Sequence, residues 1–145
     1  MVQNTTALNA RIGGKDYAVI SLEFSERLSE PFVLKVSFVA PRLSLDDLLG
    51  EEILVQGEKG QNSGLPTRKF QGVVTKADNN LGEGQVAEWV VVARPWFYLL
   101  SFIEGSEVYQ DKTAVDLTNA CLKAGGLSSK STKTSGKMSK HEFRV

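Results

Sequence analysis

The side chains able to do chemistry in this sequence are few, and their spacing assembles no reaction centre. Cys121 is the single cysteine and His141 the single histidine. A thiolate beside an imidazole makes a nucleophile pair, but Cys121 falls in the apolar arc of a helical pattern, where cysteine acts as a small inert hydrophobe. One thiol and one imidazole fall short of a zinc cage, and one thiol forms no intrachain disulfide. That usage suits a chain folded in the cytoplasm. Asp46-Asp47 and Glu51-Glu52 offer carboxylates without the ligand spacing of a calcium loop. Asp47 has a simpler role: it stands three residues after Ser44, the spacing of a capping box. Gly82-Glu83-Gly84 leads into no Lys-Ser/Thr helix entry, so no phosphate loop is expected. Lys130, Lys133, Lys137 and Lys140 could form a nucleic-acid tail, but they alternate with Ser and Thr and lack aromatic neighbours; a solvated loop is expected. Trp89, Trp96, Phe97 and Tyr98 could stack on bases or sugars. They are interleaved with Val and Leu, not with cations, and the expectation is core packing. No catalytic, cofactor-binding or metal-ligating residue emerges, and no enzyme activity is expected.

The elements that would position these residues read as strands. The 145 residues fit one domain or the start of a larger one, and 41% hydrophobic with 23% charged residues is ordinary for a globular protein. Seventeen basic residues balance seventeen acidic ones, which leaves no overall field to gather nucleic acid or an anionic membrane. The N-terminus has no apolar core of the Sec type. The longest apolar stretch, near Val90 to Leu100, is broken by Arg94 and Pro95 and is too short to span a bilayer.

Residues 1–16 are polar and read as a flexible lead-in. Tyr17 to Phe24 reads as a strand with Ala18, Ile20, Leu22 and Phe24 on one face. Phe32 to Ala40 is a second, with Phe32, Leu34, Val36 and Phe38 inward. Ser44 to Gly50 reads as one capped helical turn stopped by a left-handed glycine. Further strands are expected at Glu51 to Gln56, Arg68 to Ala77 and Gln85 to Ala93, the last apolar on both faces as if covered on both. Pro95 can open a short helix over 94–100. Thr113 to Ala124 is the strongest helix, capped by Thr113 with Asp116, and is expected to be largely buried. Residues 128–140 hold Ser, Thr and Lys with only Met138 as a large apolar group; too little surface is buried there to offset the entropy of ordering. Alternation resumes at 141–145, the start of a truncated strand. The fold class is mainly β with some α: an antiparallel β-barrel-like domain over 17–127 with short helices.

Five stretches, in order, resemble VgrG-like spike proteins of type VI secretion. Ser25-Glu26-Arg27-Leu28-Ser29-Glu30-Pro31-Phe32 resembles their "E-x-L-S-x-P-F" opening. Leu45-Asp46-Asp47-Leu48-Leu49-Gly50 precedes a strand, as in the family. Phe70-Gln71-Gly72-Val73-Val74 resembles its aromatic-x-G-x-V strand. Arg94-Pro95-Trp96 with Leu99-Leu100 is similar to "R-P-W-x-x-L-L". Tyr109-Gln110-Asp111-Lys112-Thr113 is similar to "F-Q-D-K-(S/T)". The resemblance implies the phage tail hub fold and a structural role: the N-terminal part of a trimeric spike base that docks on a hexameric tube in a contractile injection machine. It also implies effectors and baseplate proteins as further partners. Nucleic acid and stable membrane insertion are not among them. Assembly in the cytoplasm and export by the machine itself, without a Sec signal, follow from the same resemblance. Set against the full family, the chain stops short of the second half of the head, the small barrel and the spike. A prophage tail-hub or baseplate protein and a small β-barrel ligand-binding module remain as alternatives.

Overall fold

The structure is a computed structural model that describes residues 8–41, 43–57, 69–80, 86–127 and 141–144. Two compact units divide the chain at Trp96 and Phe97, where the sequence suggested one domain over 17–127.

The first unit is a closed antiparallel barrel. Its strands are β1 (Leu8–Ile12), β2 (Lys15–Arg27), β3 (Glu30–Pro41), β4 (Glu52–Gly57), β5 (Lys69–Asn80) and β6 (Val86–Arg94). Their order around the barrel is β1-β2-β3-β6-β5-β4, and β1 closes the ring by pairing with β4 from Leu8↔Gly57 to Ile12↔Ile53. Closure removes the open edges along which sheets aggregate. The lead-in expectation therefore fails for residues 8–16: Ala10 and Ile12 are fully buried barrel residues, and Lys15 already belongs to β2. The alternation of Leu8, Ala10 and Ile12 carried that signal, masked by polar neighbours. Residues 1–7 lie outside the described residues.

Inward residues fill the barrel. Ala10, Ile12, Leu34, Val36, Phe38, Ala40, Ile53, Val55, Val74, Ala87, Trp89, Val91 and Ala93 form one buried cluster with Leu48. The β3 phase is as expected, and Phe38 pairs across the ladder with Trp89. Tyr17 stacks on Phe38 with centroids 4.7 Å apart, and Phe24 meets Phe32 at 5.5 Å and Phe70 at 4.9 Å. Such pairs add about 0.5–1.5 kcal/mol beyond their area.

On β2 the expected face holds only in its second half. A bulge lies between Val19 and Ser21. Before it Tyr17 and Val19 point inward, whereas Ala18 is exposed and Ile20 is 57% exposed; after it Leu22 and Phe24 take over. One extra residue reverses the strand's phase, because side chains alternate with period two. A second bulge, between Val74 and Lys76, leaves Thr75 without a ladder partner. Its hydroxyl donates to the Val92 carbonyl at 3.2 Å, which ties the bulge to β6.

The turn between β3 and β4 is the capped helical turn read from sequence, a 3₁₀ helix at Leu45–Asp47. Asp46 N donates to Ser44 Oγ at 3.3 Å and Ser44 N to Asp47 Oδ2 at 3.2 Å. Gly50 takes φ of 81°, which glycine alone adopts without cost. Two bonds of 2.9 Å, Gly50 N to Val74 O and Val74 N to Glu51 O, stitch the turn to β5 and hold Leu48 in the core.

The second unit holds all but the first residue of a 3₁₀ helix at Trp96–Phe102, then strand β7 (Tyr109–Lys112), helix α1 (Ala114–Ala124) and strand β8 (His141–Arg144). Strands β7 and β8 pair antiparallel, so the strand expected at 141–145 is present at 141–144. Thr113 and Asp116 form the expected capping box, with Thr113 N to Asp116 Oδ2 at 3.1 Å and Asp116 N to Thr113 Oγ1 at 3.2 Å. The helix is less buried than its apolar arc suggested: only Leu122 is buried, and Ala114, Leu117, Ala120 and Cys121 are partly exposed. The loop expected at 128–140 lies outside the described residues.

Candidate functional site

The barrel interior is a packed core, and its shape rests on close approach of strands. Gly72 on β5 shows how close: a Cβ there would sit 2.8 Å from the Arg94 carbonyl oxygen and 3.4 Å from Ala93 Cβ. Glycine inside a strand often marks such an approach of backbones. It sits at the centre of the Phe70-Gln71-Gly72-Val73-Val74 motif. The sequence flagged the motif without its mechanical reason.

The buried interior carries one polar anomaly. Trp89 Nε1 is buried and has no hydrogen-bond acceptor among the described residues. Outside the wall, Ser37 is only 5% exposed and shares a 2.7 Å hydrogen bond with Ser21. Among the described residues neither feature gathers further polar groups.

The remaining sequence candidates disperse. Trp89 is core, as expected, but Phe97 is 47% exposed, which overturns the core assignment for that residue. Tyr98 meets Phe102 edge-on at 5.6 Å, and Phe102 is 64% exposed. Short 3₁₀ geometry turns these neighbours to different sides, so a continuous aromatic run does not give a continuous core face. Asp47 serves the cap, and Asp46 contributes its backbone N–H to Ser44. Glu51 and Glu52 line a surface cleft of about 450 Å³ with Arg11, Gly13, Gly14 and Gln71. Among the described residues no three His, Cys, Asp or Glu side chains come together as a metal site. Gly82-Glu83-Gly84 and the four lysines of 128–140 lie outside the described residues. His141 pairs through its backbone with Lys112.

Two charged contacts stand out. Arg11 donates to Asp16 through Nε at 2.9 Å and Nη2 at 3.1 Å across the β1–β2 turn. That hydrogen bonding holds the Asp16 carboxyl below its ordinary range and raises the Arg11 guanidinium. The pair is exposed and adds little stability. In the second unit Tyr109 Oη donates to Glu107 Oε2 at 2.6 Å. Chiefly because of that bond, the Tyr109 phenol is pushed up to about 12. Tyr109, Glu107 and Cys121 line a second cleft, of about 590 Å³, which the sequence did not foreshadow.

Comparison with known proteins agrees with this geometry. The family profile "phage tail baseplate hub (GPD)" matches residues 25–145. The type VI secretion system spike protein VgrG1b of Pseudomonas aeruginosa is 27% identical over 123 residues, covering 83% of this chain and 16% of that protein. VgrG1c of the same organism is 30% identical over 109 residues, covering 74% of this chain and 15% of the relative. The chain thus spans about a sixth of the length of these relatives. Among solved structures, the E. coli c3393 protein superposes with a TM-score of 0.67 at 18% identity, over 93% of this chain and 38% of that one. It is described as a component of the type VI secretion system with structural similarity to the T4 bacteriophage tail proteins gp27 and gp5. The 43 kDa tail protein of prophage MuSo2 from Shewanella oneidensis gives 0.58 at 13% identity, over 84% of this chain and 39% of that one. These two show a shared fold.

Proposed function

The chain belongs to the phage tail baseplate hub family, and from that premise we propose that it is a non-enzymatic structural part of a contractile injection machine. In this reading its barrel is a rigid block in the threefold base that joins a sixfold tube to a spike. The carrying observation is the closed barrel with an apolar, filled interior. A barrel of this kind transmits load through hydrogen-bonded strands, and among the described residues its interior is filled by apolar side chains. Its partners are further copies of the hub and a hexameric tube protein, because a threefold ring of paired similar domains presents six quasi-equivalent contacts. Assembly takes place in the cytoplasm and export is by the machine itself; among the described residues no helix is long and apolar enough to cross a membrane. The identity to two type VI spike proteins favours secretion over a prophage tail.

A chimera tests the reading. The corresponding head segment of the P. aeruginosa spike protein VgrG1b is replaced by residues 1–145, and spike release into the medium is measured. Release by the chimera, and its loss when the barrel carries Trp89→Ala, is expected. Equal release by the chimera and its unfolded variant would refute a mechanical role.

A further inference from the structure

The second cleft has three features that together specify a ligand chemistry. Its floor is apolar: Leu100, Ile103 and Ala124 contribute, and Ile103 is 46% exposed. Leu100 and Ile103 are held there by close packing on Gly125 at the helix end, where any Cβ would lie 2.7 Å from Leu100 Cδ2 and 2.8 Å from Ile103 Cδ1. Its wall carries two carboxylates, Glu104 and Glu107, and no Lys, Arg or His among the described lining. Finally, the wall is irregular backbone: residues 103–108 belong to no helix or strand. The Ile103 N–H already donates to the Leu100 carbonyl at 3.2 Å, so the peptide groups open to a neighbouring chain are those of residues 104–108.

We propose that this cleft docks a polypeptide segment of a partner that presents an apolar side chain flanked by lysine or arginine. The apolar side chain fills the floor, the cations meet Glu104 and Glu107, and the partner's backbone bonds to the peptide groups of 104–108. Main-chain bonding with pockets for alternate side chains is a recurrent mode of peptide recognition. The cleft is half open, and its volume of about 590 Å³ has room for an apolar side chain with its flanking backbone. Charge complementarity selects the basic flanks and disfavours acidic ones. This assignment does not depend on the docking of the barrel to a tube.

Cys121 provides the readout. It lines the cleft and is the only thiol, so alkylation reports one position. The intact chain is titrated with a short acetylated, amidated peptide of alternating lysine and leucine, and the rate of Cys121 alkylation by iodoacetamide is followed. Saturable protection is expected, weakened by added salt. It should be lost when serine replaces the leucines or glutamate replaces the lysines. Glu104→Gln should weaken apparent affinity by about three- to fivefold, the scale of an exposed ion pair, and Glu104→Lys more. An unchanged alkylation rate in the free Glu104→Gln variant shows that its cleft is intact. No protection, equal protection by the serine peptide, or equal affinity in Glu104→Gln and the parent would overturn the proposal. Protection that rises with protein concentration alone would assign the cleft to a second copy and also overturn it.

Discussion

Replacing Trp89 with alanine should remove about 3–5 kcal/mol of stability, the usual cost of emptying a buried aromatic site. Trp89 is 1% exposed and is the largest fully buried side chain among the described residues, opposite Phe38 in the barrel. Its ring therefore has no route to water that would lessen the loss. The indole also brings a cost of its own, since a buried donor without an acceptor forfeits about 1–3 kcal/mol, and Nε1 has none among the described residues. Trp89→Phe keeps most of the apolar contact and removes that donor, so the two effects oppose each other. The net cost of Trp89→Phe should stay below about 2 kcal/mol. Urea denaturation followed by far-UV circular dichroism measures both variants, and the midpoint should fall while the m-value holds. In the native parent, blue-shifted emission from Trp89 should vanish on unfolding, against a background from the more exposed Trp96. An alanine variant within about 1 kcal/mol of the parent would refute the filled barrel. A phenylalanine variant as damaged as the alanine one would refute the argument about the unpartnered N–H.

Three further outcomes follow from particular contacts. Gly72→Ala must move β5 away from the Arg94 carbonyl and should cost about 1–3 kcal/mol, read as a lowered denaturation midpoint; an unchanged midpoint would mean the strands can part freely. The bulge after Val19 predicts opposite fates for neighbours of similar chemistry: Ile20→Asp should stay within about 0.5 kcal/mol while Leu22→Asp should cost more than about 2 kcal/mol, and the reverse order by the same assay would place the bulge elsewhere. Tyr109 should titrate near pH 12 by carbon-13 tyrosine NMR, and Glu107→Gln should bring that midpoint down. Because the folded phenol holds its proton more tightly than the unfolded one, this bond's contribution is whole below the ordinary tyrosine range. It fades as pH rises toward 12.

Much of this architecture was legible in the residues. The alternation of Phe32, Leu34, Val36 and Phe38, and the Ser44/Asp47 and Thr113/Asp116 spacings, each use a local rule that the folded chain obeys. Misreadings arose where tertiary demands override the local pattern. On β2 the bulge flips Ala18 and Ile20 outward, and nothing in their types announces an inserted residue. Strand β1 is short and polar on its outer face, and it is a strand because β2 and β4 pair with it on either side. The apolar arc of α1 has only Leu122 buried, since helical amphipathicity specifies a face but not its partner. The acidic, apolar cleft brings Leu100 together with Cys121 and Ala124 across an irregular stretch that has no periodicity to read.

The mass of this chain in solution, by itself and mixed with the hexameric tube protein of a type VI machine, bears most directly on the structural role. Sedimentation should show a defined complex with the tube hexamer that forms with the folded parent and not with Trp89→Ala. A folded parent that sediments as a free monomer at every tube concentration would contradict the role proposed for the barrel.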